Sequence, residues 1–310
     1  MKGFMKLPIV LFMVLWPLIG LAQQRPVQSL YMFDPLLINP AYAGAHVQLS
    51  GTAIYRNQWV NLDGAPKTFT ATVHSGFLKT KMGLGVILSN DQIGIHNDLG
   101  FYGVYSYKIK LSNKGVLSMG LQGGFNNIRS DYNKLNIKNT GDPNLTGTIT
   151  KLSPNVGTGL FYQQKQFYVG FSVPQLINNK VFELEGATNS FSKQLRYYYL
   201  LGGFNKKLGK NFRMIPSALV RIQEQAPVSF DINNTVVFYD AVGLGISYRL
   251  NEGIVGLFEL QINDNFHVGY AYDFTTSALR QFSNGSHEIM VNYRVKIARI
   301  HTGLLCPSYY

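Results

Sequence analysis

Six histidines, two Ser–His neighbours, a spaced pair of aspartates and the Gly-x-Gly runs are the residues whose types could do chemistry. His46, His74, His96, His267, His287 and His301 are scattered. They show none of the i, i+4 spacing or neighbouring ligands that a zinc site uses. A hydrolase needs its nucleophile and base within hydrogen-bond reach. His74-Ser75 and Ser286-His287 are adjacent in sequence. Neighbours on a strand point to opposite faces, so neither pair forms an in-strand dyad, and only a dyad across strands stays open. Asp91 and Asp98 flank Ile93-Gly94-Ile95-His96. Their spacing is not that of a calcium loop, and they read as an ordinary polar turn. Gly83-Leu84-Gly85 and Gly243-Leu244-Gly245 lack the third glycine and the following helix of a phosphate loop. Glycine there leaves room on one face of a strand for a plug or solvent and eases curvature. The residues predict no catalytic set, no metal site, no cofactor and no enzyme.

The elements that must carry these residues are strands. Val291, Tyr293 and Val295 alternate with Met290, Asn292, Arg294 and Lys296. Val242, Leu244, Ile246, Tyr248 and Leu250 alternate with Ala241, Gly243, Gly245, Ser247 and Arg249. Period-two alternation means β-strands. One apolar face and one wet or small face, repeated without intervening helices, is the pattern of a transmembrane antiparallel β-barrel with lipid outside and water inside. On this reading the inner face is not a dry core.

About fourteen strands are predicted, at residues 46–56, 67–77, 81–90, 99–111, 115–127, 153–163, 166–173, 194–204, 211–222, 228–238, 241–250, 253–262, 265–274 and 286–296. Most are near the 9–11 residues that span a bilayer when tilted. The connections give an independent test. Those after even-numbered strands are short (78–80, 112–114, 164–165, 205–210, 239–240 and 263–264), and the long ones (57–66, 128–152, 174–193 and 275–285) all follow odd-numbered strands. Bacterial outer-membrane barrels have short periplasmic turns and long external loops, and a miscount by one strand would break this parity.

The ends fit export. Residues 1–22 read as a cleaved secretory signal peptide, with Lys2 and Lys6 at its start and Gly20-Leu21-Ala22 before the cleavage point. A membrane anchor is disfavoured because Pro17 breaks an apolar run shorter than the roughly 20 residues a spanning helix needs. Removing Lys2 and Lys6 takes the net charge from +12 to +10. Cys306 is the single cysteine, so no internal disulfide forms. The 19 Tyr and 20 Phe suit rings at both lipid interfaces. Residues 23–45 do not alternate and are too apolar to dangle in water; they are expected at the periplasmic mouth or inside the lumen as a plug. The barrel then runs over 46–296, with a periplasmic tail at 297–310.

Parity also assigns charge. The even-numbered turns and their flanks hold Lys79, Lys81, Lys108, Lys110, Lys114, Lys165, Lys206, Lys207 and Lys210, with Arg294, Lys296 and Arg299 at the same end and few acids beyond Asp240 and Asp264. A one-signed rim raises encounter rates with an oppositely charged partner. The plainer reading is that these lysines only keep the turns soluble or meet lipid headgroups. Nucleic acid is no partner for an exported membrane chain.

The stretch QSLYMFDPLLINPAYAG, then YRNQWVNLDGAPKTFTATVHSGF and GLGVILSNDQIG, resembles the opening of the PorP/SprF family of Bacteroidetes. GSHEIMVNYRV and the CPSYY ending are similar to that family too, with Tyr310 where Phe is the more usual last residue. The resemblance covers the mature chain. It implies an outer-membrane component of the type IX secretion and gliding-motility machinery that is not itself the main channel. It further implies two classes of partner: a secreted, adhesin-type client with a C-terminal signal domain, and periplasmic lipoprotein ring or motor components. On the motif positions, Tyr31, Phe33, Pro35, Asn39, Pro40 and Tyr42 would fix the plug. Arg56, Gln58, Trp59, Gly64 and Pro66 would order the first external loop, with Trp59 equally suited to an interface belt. Partner docking would fall to Lys206, Lys207, Lys210, Lys108, Lys110 and Lys114. The competing readings are a porin or channel for small or hydrophobic solutes, an outer-membrane lipid hydrolase, and a soluble secreted β-protein.

Overall fold

A computed structural model describes residues 28–46, 48–77, 81–112, 115–134, 147–183, 191–193, 195–224 and 226–295. The expected signal peptide, the C-terminal tail with Cys306, and Lys114 lie outside the described residues. Fourteen strands make the wall. They are β1 Leu49–Asn57, β2 Lys67–Phe77, β3 Met82–Ile93, β4 His96–Ser112, β5 Gly115–Asp131, β6 Thr148–Gln164 and β7 Phe167–Val173. The second half is β8 Tyr197–Phe204, β9 Phe212–Gln223, β10 Ser229–Phe238, β11 Val242–Arg249, β12 Gly253–Gln261, β13 Phe266–Thr275 and β14 Ser286–Val295. Each strand pairs antiparallel with the next, and β1 pairs with β14, Leu49 opposite Val295, so the sheet closes on itself. A two-residue piece, Lys206–Lys207, extends the β9 edge.

Alternation decides the two faces. Val73, Leu84, Leu88, Leu121, Leu160, Leu200, Ile232, Ile246 and Ile289 point out of the wall and stay exposed. Rings flank this apolar band. At the short-turn end Phe212 packs edge-on against Phe238 (5.4 Å) and Tyr162 lies 5.8 Å from Phe167. At the other end Tyr55, Phe69, Tyr248 and Phe274 are exposed. That is the apolar belt with aromatic girdles of an outer-membrane barrel. No helix among the described residues is long and apolar enough to cross a membrane.

Three features differ from the sequence reading. First, β4, β5 and β6 are 17 residues each, so the wall rises on the external side where a long loop was expected. Second, Asp91 and Asp98 are not in a turn. They are a directly opposed cross-strand pair, and the turn shrinks to Gly94-Ile95, with Gly94 at φ +56°. Opposed like charges destabilise a ladder. Here Thr68 Oγ1 donates to Asp91 Oδ1 (2.7 Å) and Asn126 Nδ2 to Asp98 Oδ1 (2.5 Å). Third, the lumen is not wholly wet. Ile54, Ile215, Leu219, Val237, Val255, Leu257 and Met290 face inward and are buried. They cover the apolar residues of the segment 28–46, which lies inside the barrel and shares one core cluster with them.

Candidate functional site

The segment 28–46 folds as it does because Asp34-Pro35 and Asn39-Pro40 each start a short 3-10 turn. Asp34 Oδ1 accepts from Leu36 N (3.2 Å) and Asn39 Oδ1 from Ala41 N (2.9 Å). Proline at the first turn position gives up a donor that would be unpaired there. The compacted chain then meets the wall at successive levels. Asn233 Nδ2 donates to Tyr31 OH (2.6 Å), Thr72 Oγ1 to Asp34 Oδ2, and Ser172 Oγ to Ile38 O (2.6 Å). Asn39 Nδ2 donates to Leu160 O (3.0 Å) and Ser106 Oγ to Ala43 O (2.5 Å). Near the periplasmic mouth Gly44 N donates to His74 Nδ1 (3.1 Å) and Gly76 N to His46 O (3.1 Å). Two inward glycines allow the approach: a Cβ on Gly83 would overlap Ala43 O, and one on Gly120 would overlap Ala41 N.

Toward the outside, Ser29 and Leu30 meet an ion network that is buried except at Glu252. Arg56 Nη1 reaches Glu288 Oε2 (2.8 Å), and its Nη2 pairs with Asp273. Arg249 pairs with Asp231 (3.1 Å), Glu252 (3.3 Å) and Asp273 (3.7 Å), and Arg221 with Glu252 (2.9 Å). Three guanidiniums thus face four carboxylates. The remaining acceptor capacity is met by the inner segment: Ser29 N and Leu30 N donate to the two oxygens of Glu288 (2.7 and 2.8 Å). Ser29 Oγ donates to Asp273 Oδ1 (2.9 Å) and accepts from Arg56 Nη1 (3.0 Å).

Tyr31, Phe33, Pro35, Asn39, Pro40 and Tyr42 all lie in the lumen and are buried. Arg56, expected to order the first external loop, does not. It occupies an inward position of β1, 3% exposed, because its parity matches Ser50, Thr52 and Ile54. Gln58, Trp59, Gly64 and Pro66 do lie in that loop. Gln58 N donates to Pro66 O (3.0 Å), Trp59 N to Ser286 Oγ (3.1 Å), and Gly94 N to Gly64 O (3.0 Å). Lys110, Lys206, Lys207 and Lys210 are exposed at the short-turn end. Lys108 is not part of that rim. It faces inward, and its Nζ donates to Gly44 O. Arg294, counted at the same end, is buried in the lumen, 7% exposed. Sequence reasoning missed Ser29, Asp231, Asp273 and Glu288. Their signal was available: opposite charges at inward positions of neighbouring strands call for one another. Among the described residues no three His, Cys, Asp or Glu side chains gather as metal donors.

Comparison with known proteins follows from this geometry. The CymD monoaromatic hydrocarbon channel superposes with a TM-score of 0.52 at 12% identity, over 91% of this chain and 96% of that one. The KdgM porin gives 0.41 at 12% identity, over 80% and 99%. Omp33 of Acinetobacter baumannii gives 0.42 at 12% identity, over 81% and 97%. At 12% identity the CymD likeness speaks for the barrel fold alone. No curated protein matches the sequence. The model of one family matches residues 20–293, that of the type IX secretion system membrane protein PorP/SprF, which is not a class of enzymes. This outer-membrane β-barrel, its lumen filled by its own N-terminal segment, therefore belongs to the PorP/SprF family of type IX secretion system membrane proteins.

Proposed function

We propose that this barrel is a plugged adaptor of the secretion and gliding-motility machinery. It assists export or surface anchoring of a secreted, adhesin-like client by docking that client and periplasmic machine partners, and it is not itself a conduit. The observation that carries this is the filled lumen, where residues 28–46 are tied to the wall from Glu288 near the outside to Gly76 near the periplasm. With the interior occupied, function passes to surfaces. The exposed Lys110, Lys206, Lys207 and Lys210, with Lys81 and Lys165, outnumber the exposed Asp240 and Asp264 of the same turns, so the periplasmic rim is net basic and suits an acidic partner.

Two measurements test the reading. Charge reversal of Lys206, Lys207 and Lys210 together is expected to reduce co-purification of machine partners from whole cells while the barrel still folds. Unchanged co-purification would remove the rim from the account. In planar bilayers the intact protein is expected to show no steady conductance. Stable porin-like steps from the intact chain would favour a channel for small or hydrophobic solutes instead.

A further inference from the structure

At the external end of the wall the first loop arches over a cleft of about 410 Å³. That is the size of a small-molecule site. The wall gives it Asn57 at the end of β1, Lys67 at the start of β2 and Gln92 near the end of β3. The loop gives it Trp59, Asn61 and Asp63. Asn57 shares the outward parity of Tyr55, Lys67 that of Phe69, and Gln92 that of Leu88. The wall side of the cleft therefore faces outward and not into the lumen. Tyr55 and Phe69 of the ring girdle lie two residues from Asn57 and Lys67, about 7 Å along their strands.

The loop is shaped before anything binds. Trp59 and Asn61 sit at φ +49° and +73°, where residues other than glycine are uncommon and persist only when their surroundings hold them. Trp59 N donates to Ser286 Oγ (3.1 Å), Val60 N to Gly285 O (2.9 Å) and Asn284 N to Val60 O (3.0 Å), which ties the loop to the start of β14. Gly94 N donates to Gly64 O (3.0 Å), which ties it to the turn between β3 and β4. The cleft also stands at a polar level of the wall. From β14 to β5 the paired outward residues there are His287, Asn57, Lys67, Gln92, Asn97 and Arg129. A polar row beside an aromatic girdle is the depth of lipid headgroups.

The lining chemistry selects among headgroups. Lys67 supplies a point charge for a phosphate. Asp63 repels a bare phosphate, yet its carboxylate accepts from hydroxyls. Asn57, Asn61 and Gln92 both donate and accept, as a ring carrying several hydroxyls needs. The Trp59 indole offers an apolar face to the C–H side of such a ring. We propose that this cleft holds the phosphorylated sugar headgroup of an outer-leaflet glycolipid. Its acyl chains run along the outward faces of β1 to β3, past Tyr55 and Phe69. The site stands at the opposite end from the lysine rim and does not depend on docking there.

Trp16 falls in the expected signal peptide, so Trp59 is the single tryptophan from residue 23 onward and its emission reports the cleft. The test uses the full mature chain in lauryldimethylamine oxide micelles. The probes are monophosphoryl lipid A, dioleoyl phosphatidylglycerol and glucose-1-phosphate. Lipid A is expected to shift Trp59 emission to the blue, with saturation. Phosphatidylglycerol, which has phosphate and acyl chains but no sugar ring, is expected to bind at least about tenfold more weakly, and so is glucose-1-phosphate, which has no acyl chains. Lys67→Gln is expected to weaken lipid A binding at least about tenfold, since one charge-assisted bond is worth about that factor. Gln92→Ala is expected to weaken it severalfold, each variant keeping wild-type heat-modifiable mobility on gels. An absent or unsaturable shift with lipid A overturns the proposal, as does unchanged binding in Lys67→Gln. Equal binding of phosphatidylglycerol overturns it in favour of a site for charge alone, and equal binding of glucose-1-phosphate in favour of a soluble sugar phosphate. Should Lys67→Gln fail to fold, the three probes on the wild-type protein decide.

Discussion

Removing Arg56 asks whether the ion network is an ordinary buried salt bridge or the upper anchor of the inner segment. Arg56→Met strands Glu288 and Asp273, whose side chains are 0% and 12% exposed. Breaking a buried pair from one side costs about 3–5 kcal/mol. The low end, about 3 kcal/mol, applies here, because Asp273 keeps Arg249 at 3.7 Å and Glu288 keeps two backbone N–H donors. The informative experiment is the double variant Arg56→Met with Glu288→Met. For an isolated pair, replacing both partners by apolar residues is often neutral or stabilising. Here it leaves Ser29 N and Leu30 N without the acceptors they use, at about 1–3 kcal/mol each. The double variant is therefore expected to stay at least about 2 kcal/mol below wild type. Urea unfolding of the refolded barrel in lipid vesicles, read by heat-modifiable gel mobility, gives the four corners of the cycle. Recovery of the double variant to within about 0.5 kcal/mol of wild type, the usual additivity error, would refute the anchoring role.

Other outcomes follow from the same geometry. Gly120→Val or Gly83→Val drives a side chain into the backbone at Ala41 or Ala43 and is expected to cost about 1–3 kcal/mol, with protease cleavage inside residues 28–46 that the wild-type protein resists. Asn39→Ala removes both the cap on Ala41 N and the bond to Leu160 O, for a loss of about 2 kcal/mol in the same unfolding assay. Rising salt should separate the two ends of the molecule. The exposed Lys206, Lys207 and Lys210 are screened as the Debye length falls from about 10 Å at 0.1 M to about 3 Å at 1 M, whereas the buried Arg56 pairs are screened much less. Partner capture should then fall with salt while the lumen stays closed to current, and salt-independent capture would count against the rim.

The wall was legible because its signal is local. Alternation in single strands, such as Val242 to Arg249, fixes both existence and facing, and short turns after even-numbered strands fix the count. Strand tops were less legible. The inward stripe continues through Ile128 and Ser130, but sequence offers no stop signal there, so β5 was expected to end too early. The filled lumen was half legible. Composition showed that the residues around DPLLINP need cover, yet did not say whether they find it at the mouth or inside. The ion network was least legible, since Ser29 and Glu288 are 259 positions apart and only barrel closure makes them neighbours. For Arg56 a sequence resemblance suggested the loop, and simple parity with Ile54 would have given the lumen.

The inner segment is held by different physics at its two ends. At the periplasmic end the holding contacts are mostly short-range: backbone against Gly83 and Gly120 and neutral hydrogen bonds from Ser106 and Ser172, with a single charge-assisted bond from Lys108 Nζ to Gly44 O among the described residues. These vanish with a displacement of an ångström or so. At the external end they are charge-assisted and form a web, in which Arg249 reaches three carboxylates and Asp273 two guanidiniums. Such a web tolerates a shift by exchanging partners. A pull from the periplasm therefore meets a stiff, brittle attachment first, and a compliant one only afterwards. A partner that merely docks on the rim need disturb neither. On the proposed adaptor reading a filled lumen and a basic rim are therefore compatible, whereas a conduit would have to dismantle both attachments in every cycle.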